Sequence, residues 1–273
     1  MTRAFTRAAF SGEMGAMPVP PEVEVVALEK TYPRPFWPWA RLHGRTEAPR
    51  TALRGLSFEI RTGEVVALIG PNGAGKSTLL RILSGLLLPS AGTARVASRD
   101  VVRERPECRR HVGAALADDR GLSPRLTARQ NLRFYAALYG VPPREVDARI
   151  EELAVTLEAR RLMDREVRTC SSGERARVVM MRALLHRPRV LLLDEVTRAL
   201  DPGAARRLRT RLLSDVAARG TAVLFASHDL AEVEAVAHRV LLLDAGRLAA
   251  TGTFAEVRPA AEAVFAAVPR EEA

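Results

Sequence analysis

The segment GPNGAGKST, residues 70–78, constrains the fold of this chain more strongly than any other segment. It fits the spacing Gly-x-x-x-x-Gly-Lys-Ser/Thr and follows the apolar run EVVALI. After it comes a stretch predicted to be helical from Gly75 to about Leu86. A glycine-rich turn with a chance lysine would not need a strand before it and a helix after it. The sequence therefore predicts a phosphate-binding loop that joins a β-strand to an α-helix.

Each residue type in this loop has a chemical reason to be there. Glycines let the backbone curl so that its N–H groups face phosphate oxygens. Lys76, one of two lysines in the chain, reaches the β- and γ-phosphates, and Ser77 offers an oxygen ligand to Mg²⁺. The predicted nucleotide-binding residues of the loop are Gly70, Asn72, Gly73, Gly75, Lys76, Ser77 and Thr78.

Short apolar runs alternate with helical stretches from Val23 onward. The runs VEVVAL, LSFEI and EVVALIG come first, and RVLLLDE, TAVLFASH and RVLLLD follow in the second half of the chain. Helices are predicted between these later runs, at about 201–218 and 229–237. Such alternation is typical of an α/β fold.

Breaks in the alternation divide the chain. Residues 1–21 are predicted to be a flexible N-terminal tail, residues 22–250 the main domain and residues 251–273 a C-terminal helical tail. Within the main domain, residues 33–50 form an insert that contains both tryptophans and too many prolines for regular structure. This insert is either a rigid surface loop wedged by its own aromatic rings or a contact for a partner or a membrane.

The middle of the chain, residues 106–170, is predicted to be an inserted helical subdomain. Thr127 and Gln130 have the spacing of a capping box ahead of the helical stretch NLRFYAALYG. A second helix is predicted from apolar residues that recur on one face, namely Val146, Ile150, Leu153 and Leu157.

The composition of the chain limits its partners and its environment. The net charge is +10, and all but two of the 42 basic residues are arginines. This bias indicates either solvated arginine faces from a GC-rich coding preference or a surface for nucleic acid or lipid. No basic tract is interleaved with aromatic residues, so no nucleic-acid partner is expected.

The two cysteines form no disulfide framework or metal spacing, which favours a reducing cytosol. No apolar run reaches the roughly 18 residues of a spanning helix, so we expect no membrane crossing.

Two apolar strands end in side chains that can act on phosphates. The run VLLLDE ends in Asp194 and Glu195, at the sheet edge where side chains face a ligand. We predict that Asp194 holds Mg²⁺ through a water and that Glu195 polarises the attacking water, because phosphoryl transfer needs positioning and charge neutralisation. The alternative is two acids that merely end a strand. FASHD places His228 at another strand end, where it is either structural or catalytic.

The stretch CSSGERARV, residues 170–178, places Ser and Gly at the start of an arginine-studded amphipathic helix. Both are common capping residues, and the N–H groups at a helix start also attract anions. The stretch has no lysine and no aspartate, so it cannot be a nucleotide site alone. We predict that the rest of such a site comes from elsewhere.

Over about residues 23–250 the chain resembles the nucleotide-binding subunit of ABC transporters. Five features carry this resemblance: the phosphate loop, the SSG segment, the acid pair, ALD at 199–201 and His228. The resemblance implies an α/β, P-loop NTPase core, RecA-like with a mostly parallel sheet, plus an antiparallel β subdomain and an inserted helical subdomain. It implies ATP and Mg²⁺ as cofactors. The catalytic residues that it implies are Lys76, Glu195 and His228.

The resemblance also implies further roles by position. Tyr32 would stack on adenine, Ser171 and Gly173 would belong to the signature, Asp201 to the dimer-bridging loop, and His228 would be the γ-phosphate switch. The signature helix would complete the ATP site of the opposite subunit, in a homodimer or with a related ATPase subunit. A membrane permease on a separate chain would hold the dimer peripherally at the cytoplasmic face of the membrane. Alternatives to Tyr32 are the aromatic residues Phe36, Trp37 and Trp39.

Three departures from the family pattern bear on this interpretation. CSSGE, residues 170–174, replaces the usual Leu-Ser-Gly-Gly-Gln but keeps the serine hydroxyl and the second glycine. Val196 stands where a proline usually follows the acid pair. Ala117 or Asp118 falls where the family has a metal-contacting glutamine, and Asp118 is either a Mg²⁺ ligand or solvated. The chain also resembles some ATPase subunits of ABC-2-type bacterial exporters. This second resemblance lies in the SSG signature, the DDR segment and the Trp-containing insert.

Two classes of function follow from these patterns. The first is an ATP-binding and ATP-hydrolysing subunit that powers transport through a separate permease by ATP-driven dimer closure. The second is a soluble ABC ATPase of a cofactor-assembly or other non-transport complex. A nucleotide-binding regulator that barely hydrolyses ATP is a third hypothesis, based on the missing glutamine.

Overall fold

A six-stranded, mostly parallel sheet and a four-stranded antiparallel sheet form the framework of the chain. The structure, a computed structural model, describes residues 20–33, 49–116, 121–194 and 213–267. The larger sheet has the order β10-β9-β3-β8-β7-β6. Its strands are β3 (Val65–Ile69), β6 (Val112–Ala115), β7 (Val190–Asp194), β8 (Ala222–Ala226), β9 (Arg239–Asp244) and β10 (Arg247–Gly252). This architecture confirms the predicted α/β fold.

The antiparallel sheet has the order β2-β1-β4-β5. Its strands are β1 (Val23–Tyr32), β2 (Arg50–Ile60), β4 (Ala91–Val96) and β5 (Arg99–Asp100). Residues of β1, β2 and β4 share one buried apolar cluster with residues of β3, β7, β8 and β9, so the two sheets pack against each other. The antiparallel β subdomain that the resemblance implied is therefore present.

Seven helices with defined bounds lie in the described ranges. They are α1 (Lys76–Leu83), α2 (Arg105–Arg110), α3 (Ala128–Leu138), α4 (Pro143–Thr156), α5 (Ser172–Leu184), α6 (Leu230–Val236) and α7 (Phe254–Ala266). Residues 213–218 are also helical, and they are the described part of the helix predicted at about 201–218. Short 3₁₀ turns span Arg160–Leu162 and Val167–Thr169. None of the helices in these ranges combines the length and the hydropathy that would span a bilayer.

The central strands are buried along their whole length because both sheet faces are covered. Every residue of β3, β7 and β8 is buried. One face packs on α1 and the antiparallel sheet. The opposite face packs on the helices of the 121–184 segment and on α7. Strands covered on both faces need continuous apolar runs, which is why VVALI and AVLFA do not alternate in polarity.

The segment predicted to be a helical subdomain, residues 106–170, contains the expected helices. The Thr127–Gln130 capping box is present, since Thr127 Oγ1 accepts from Gln130 N at 3.1 Å and Gln130 Oε1 accepts from Thr127 N at 2.9 Å. The segment also contains β6, which pairs in parallel with β7 of the main sheet. This strand was not predicted, because VGAA is too short for its pattern to distinguish a strand from a helix.

The predicted boundary between the main domain and a C-terminal helical tail, at residue 250, falls inside β10. Ala245 and Gly246 have φ of 43° and 80° and turn the chain so that β10 runs antiparallel to β9. Helix α7 follows, and its Val257 and Ala261 are buried in the same core as the central strands. This part of the chain therefore packs against the sheet.

Candidate ATP site

The carboxyl ends of three neighbouring strands bring the predicted site residues to one edge of the large sheet. Leu68 of β3 lies beside Ala226 of β8, and Ala226 lies beside Asp194 of β7. The Ser227 amide donates to Leu68 O at 3.3 Å, which places His228 directly beyond the same edge. Ligands of open α/β sheets bind at such an edge. The loop after β3, Asp194 and the turn that carries His228 therefore lie at the same edge of the sheet.

The backbone of the loop requires glycine at two positions. Gly70 has φ of 148°, and a Cβ there would lie 2.1 Å from Leu243 O. Gly75 has φ of 110° and caps α1, and a Cβ there would lie 2.6 Å from Ala52 O. A backbone oxygen cannot yield as a flexible side chain can, so a larger residue at either position would displace the loop.

We expect Gly75→Ala to lower the free energy of unfolding by at least about 2 kcal/mol, because it adds both backbone strain and a clash. The matched control is Gly140→Ala. Gly140 also has positive φ, 73°, but a Cβ there meets nothing within 4 Å, so we expect a cost of roughly 1 kcal/mol from strain alone. Urea denaturation of both variants measures the difference. Equal costs would show that the approach of Ala52 O to Gly75 is not limiting.

Lys76 crosses the inside of the loop. Its side chain is 7% exposed, and its Nζ donates to Gly70 O at 2.6 Å and to Pro71 O at 3.0 Å. An ammonium has three N–H donors, and a phosphate oxygen is a stronger, charged acceptor than a carbonyl. The lysine is therefore held where it meets an anion that enters the loop.

The start of α1 lies next to the end of β1. Ser77 and Thr78 are half-buried in the first helical turn, and Thr78 Oγ1 is 3.2 Å from Tyr32 Oη. Lys30 Nζ is 5.4 Å from the centroid of the Tyr32 ring. Tyr32 thus borders the loop, as an adenine-stacking residue must, and that role stays a prediction. The alternative aromatic residues of the 33–50 insert lie outside the described residues.

The donors available for Mg²⁺ are hard oxygens. Asp194 is 4% exposed at the end of β7, and Ser77 carries a hydroxyl beyond β3, with only β8 between the two strands. Within the described ranges, no group of three or more His, Cys, Asp or Glu residues could hold a metal. Magnesium commonly takes only one or two ligands from the protein and the rest from phosphates and water, so this donor set fits the ion.

A network that sequence reasoning missed fixes the turn around His228. Ser227 Oγ donates to Glu232 Oε2 at 2.7 Å, and both side chains are buried. The Asp229 amide donates to Ser227 Oγ, and Asp229 Oδ1 accepts from the Ala231 amide at 3.0 Å to cap α6. His228 is itself exposed. Asp229, directly after His228, is an N-cap signal that could have indicated the start of α6, but not the contact between Ser227 and Glu232.

The SSG segment lies at the start of a helix, whereas the phosphate loop and His228 each follow a strand. Ser171 is the N-cap of α5, its Oγ accepts from Glu174 N at 3.2 Å, and its amide donates to Glu174 Oε2 at 2.9 Å. Gly173 is buried in the first turn. A hydroxyl offers one donor and two acceptor sites, so capping uses only part of the capacity of Ser171. The helix start is thus capped and can still meet an anion.

Glu174 is half-buried and held by hydrogen bonds and an ion pair. The Ser171 amide holds the pKa of the Glu174 carboxyl below its usual value, and Arg165 lowers it further. Arg165 Nη1 lies 3.0 Å from Glu174 Oε1. The sequence pattern gave no signal for this arginine. Glu195, Asp201 and Asp118 lie outside the described residues.

The fold and the loop define a class of protein: a glycine-rich phosphate loop at the carboxyl edge of a mostly parallel sheet is the site of a P-loop NTPase. The sequence matches the ABC transporter family over residues 53–198. The ABC transporter ATP-binding protein NatA of Bacillus subtilis (strain 168) is 36% identical over 197 residues, covering 72% of this chain and 80% of that protein. The chain belongs to the ABC transporter family. Within that family it is an ATP-binding, ATP-hydrolysing subunit.

A second relative and a solved structure agree with this assignment. The Nod factor export ATP-binding protein I of Paraburkholderia xenovorans (strain LB400) is 36% identical over 203 residues, covering 74% of this chain and 66% of that protein. The dimeric structure of MJ0796, a bacterial ABC transporter cassette, superposes with a TM-score of 0.72 at 25% identity, covering 85% of this chain and 98% of that one. The same cassette is also solved as a dimer in a post-hydrolysis state bound to ADP and Pi.

Proposed function

We propose that this subunit pairs with a second copy or a related ATPase subunit, so that each ATP lies between the phosphate loop of one chain and the Ser171 helix start of the other. ATP binding then closes the dimer, hydrolysis reopens it, and the motion drives a separate membrane permease from the cytoplasmic face. The observation that supports the proposal is that the two predicted phosphate-binding features start two different helices. The loop lies at the sheet edge, whereas Ser171 starts α5 in the helical region.

Roles for individual residues follow within this proposal. Lys76 neutralises charge on the β- and γ-phosphates, Tyr32 stacks on adenine, and the helix start at Ser171 and Gly173 binds the γ-phosphate of the partner's ATP. Glu195 orients and polarises the attacking water, His228 senses the γ-phosphate, and Asp201 contacts the partner chain. Mg²⁺, when bound, would neutralise developing charge on the phosphates. Ser77 would hold the ion directly and Asp194 through a water, and Asp118 is either a further ligand or solvated.

Mixing two inactive variants tests the shared site. Lys76→Ala and Ser171→Arg homodimers carry a lesion in both sites and are expected to be inactive. In a mixed dimer, one site collects both lesions and the other is whole. With random pairing about half the dimers are mixed, so about a quarter of all sites should trap ATP. Trapped nucleotide is the measurement, because a single whole site need not complete a cycle.

A second mixture serves as the matched control. A chain carrying both substitutions is mixed with the parent chain under the same conditions, with exchange verified by labelled subunits. If Ser171 acts across the interface, about a quarter of the sites are again whole. If it acts within its own chain, the first mixture recovers nothing and about half the sites in the second are whole. That second pattern would overturn the shared site.

A further inference from the structure

A carboxylate sits at the helix start that the proposed function assigns to the partner's ATP. Glu174 Oε2 is 2.9 Å from the Ser171 amide, so its charge is within one hydrogen bond of the predicted phosphate-binding residue. The helix start itself favours anions, but a carboxylate beside it repels a polyphosphate. Glu174 therefore needs a counter-charge that does not block the helix start.

Arg165 supplies that counter-charge from a fixed position. Its Nη1 is 3.0 Å from Glu174 Oε1, the carboxylate oxygen opposite the one that caps Ser171. Its Nη2 donates to Thr169 O at 2.6 Å, in the 3₁₀ turn that leads to α5. Arg161 is a more distant second cation, with Nη2 at 3.8 Å from Glu174 Oε1. A planar guanidinium can make both contacts at once.

We propose that Arg165 is a positioning residue for the ATP site: it holds Glu174 in the capping geometry and neutralises its charge, so that the Ser171 helix start accepts the phosphates of the partner's ATP. This inference rests on the shared site of the proposed function. A neutral glutamine at position 174 could cap Ser171 without a counter-charge. The chain therefore uses an acid–arginine pair where one neutral side chain would serve.

A double-substitution cycle tests the proposal. All variants carry Glu195→Gln to prevent turnover, and the ATP concentration that gives half-maximal dimer is measured by light scattering. We expect Arg165→Met to raise this concentration roughly fivefold, in keeping with the modest energies of partly exposed ion pairs. In the Glu174→Gln background the same substitution should change it less than about twofold, because no charge is left to neutralise.

Two further variants separate charge from folding. Arg165→Lys keeps the charge and should recover part of the affinity lost in Arg165→Met. Arg168→Met removes an exposed arginine that lies in the same 3₁₀ turn and pairs with Glu166 rather than Glu174, and it should leave the titration unchanged. Thermal melting is recorded for every variant, so that a loss of stability is not read as a loss of ATP affinity.

The outcomes discriminate between the two proposals. An equal effect of Arg165→Met in both backgrounds, or no effect in either, would overturn the role of Arg165 while the parent still dimerises with ATP. Failure of the Glu195→Gln parent itself to dimerise with ATP would overturn the shared site, and the role of Arg165 with it.

Discussion

Lys76→Ala is expected to lower the affinity for ATP on the order of a hundredfold, because the nucleotide loses several charge-assisted hydrogen bonds at once. The side chain is buried, and its ammonium lies against the loop carbonyls where the phosphates are expected to bind. Titration with a fluorescent ATP analogue measures the change. ATPase turnover at a fixed low ATP concentration should fall in parallel.

The chain offers a matched control for this substitution in its other lysine. Lys30→Ala removes the same charge, but Lys30 Nζ donates to Leu88 O and lies beside Tyr32 rather than in the loop. We expect its ATP affinity to stay within about threefold of the parent. Equal losses in the two variants would show that total charge, rather than the loop geometry, governs binding.

Glu195→Gln is expected to reduce turnover by about 10² to 10⁴-fold while leaving ATP binding intact. The substitution keeps the size of the side chain but removes the charge that polarises the attacking water. ATP-bound dimers should therefore accumulate, and size-exclusion chromatography with and without Mg-ATP measures them. Glu145→Gln, at an exposed acid of α4, is the control for loss of charge. Full turnover in Glu195→Gln would remove Glu195 from the reaction.

The sequence by itself determined the parts of the site that are encoded locally. The phosphate loop, the capped start of α5 and the apolar strands are each specified by consecutive residues, because turn geometry, helix capping and strand burial act over a few positions. The sheet type also followed from the pattern, because apolar strands that alternate with helices are typical of a parallel α/β sheet. In such a sheet Asp194 at the end of β7 and His228 just beyond β8 come to one edge.

Only the tertiary structure decided which distant residues support that site. The Tyr32 contact to Thr78 spans 46 positions and depends on how the antiparallel sheet packs against α1. Residues 112–115 are too few for their pattern to distinguish a strand from a helix. They form the strand β6 because they pair with the edge of β7. Arg165 meets Glu174 only because the 3₁₀ turn between them folds the chain back. Local patterns record a residue's own backbone preference, whereas these contacts depend on the packing of separate elements, which no short segment encodes.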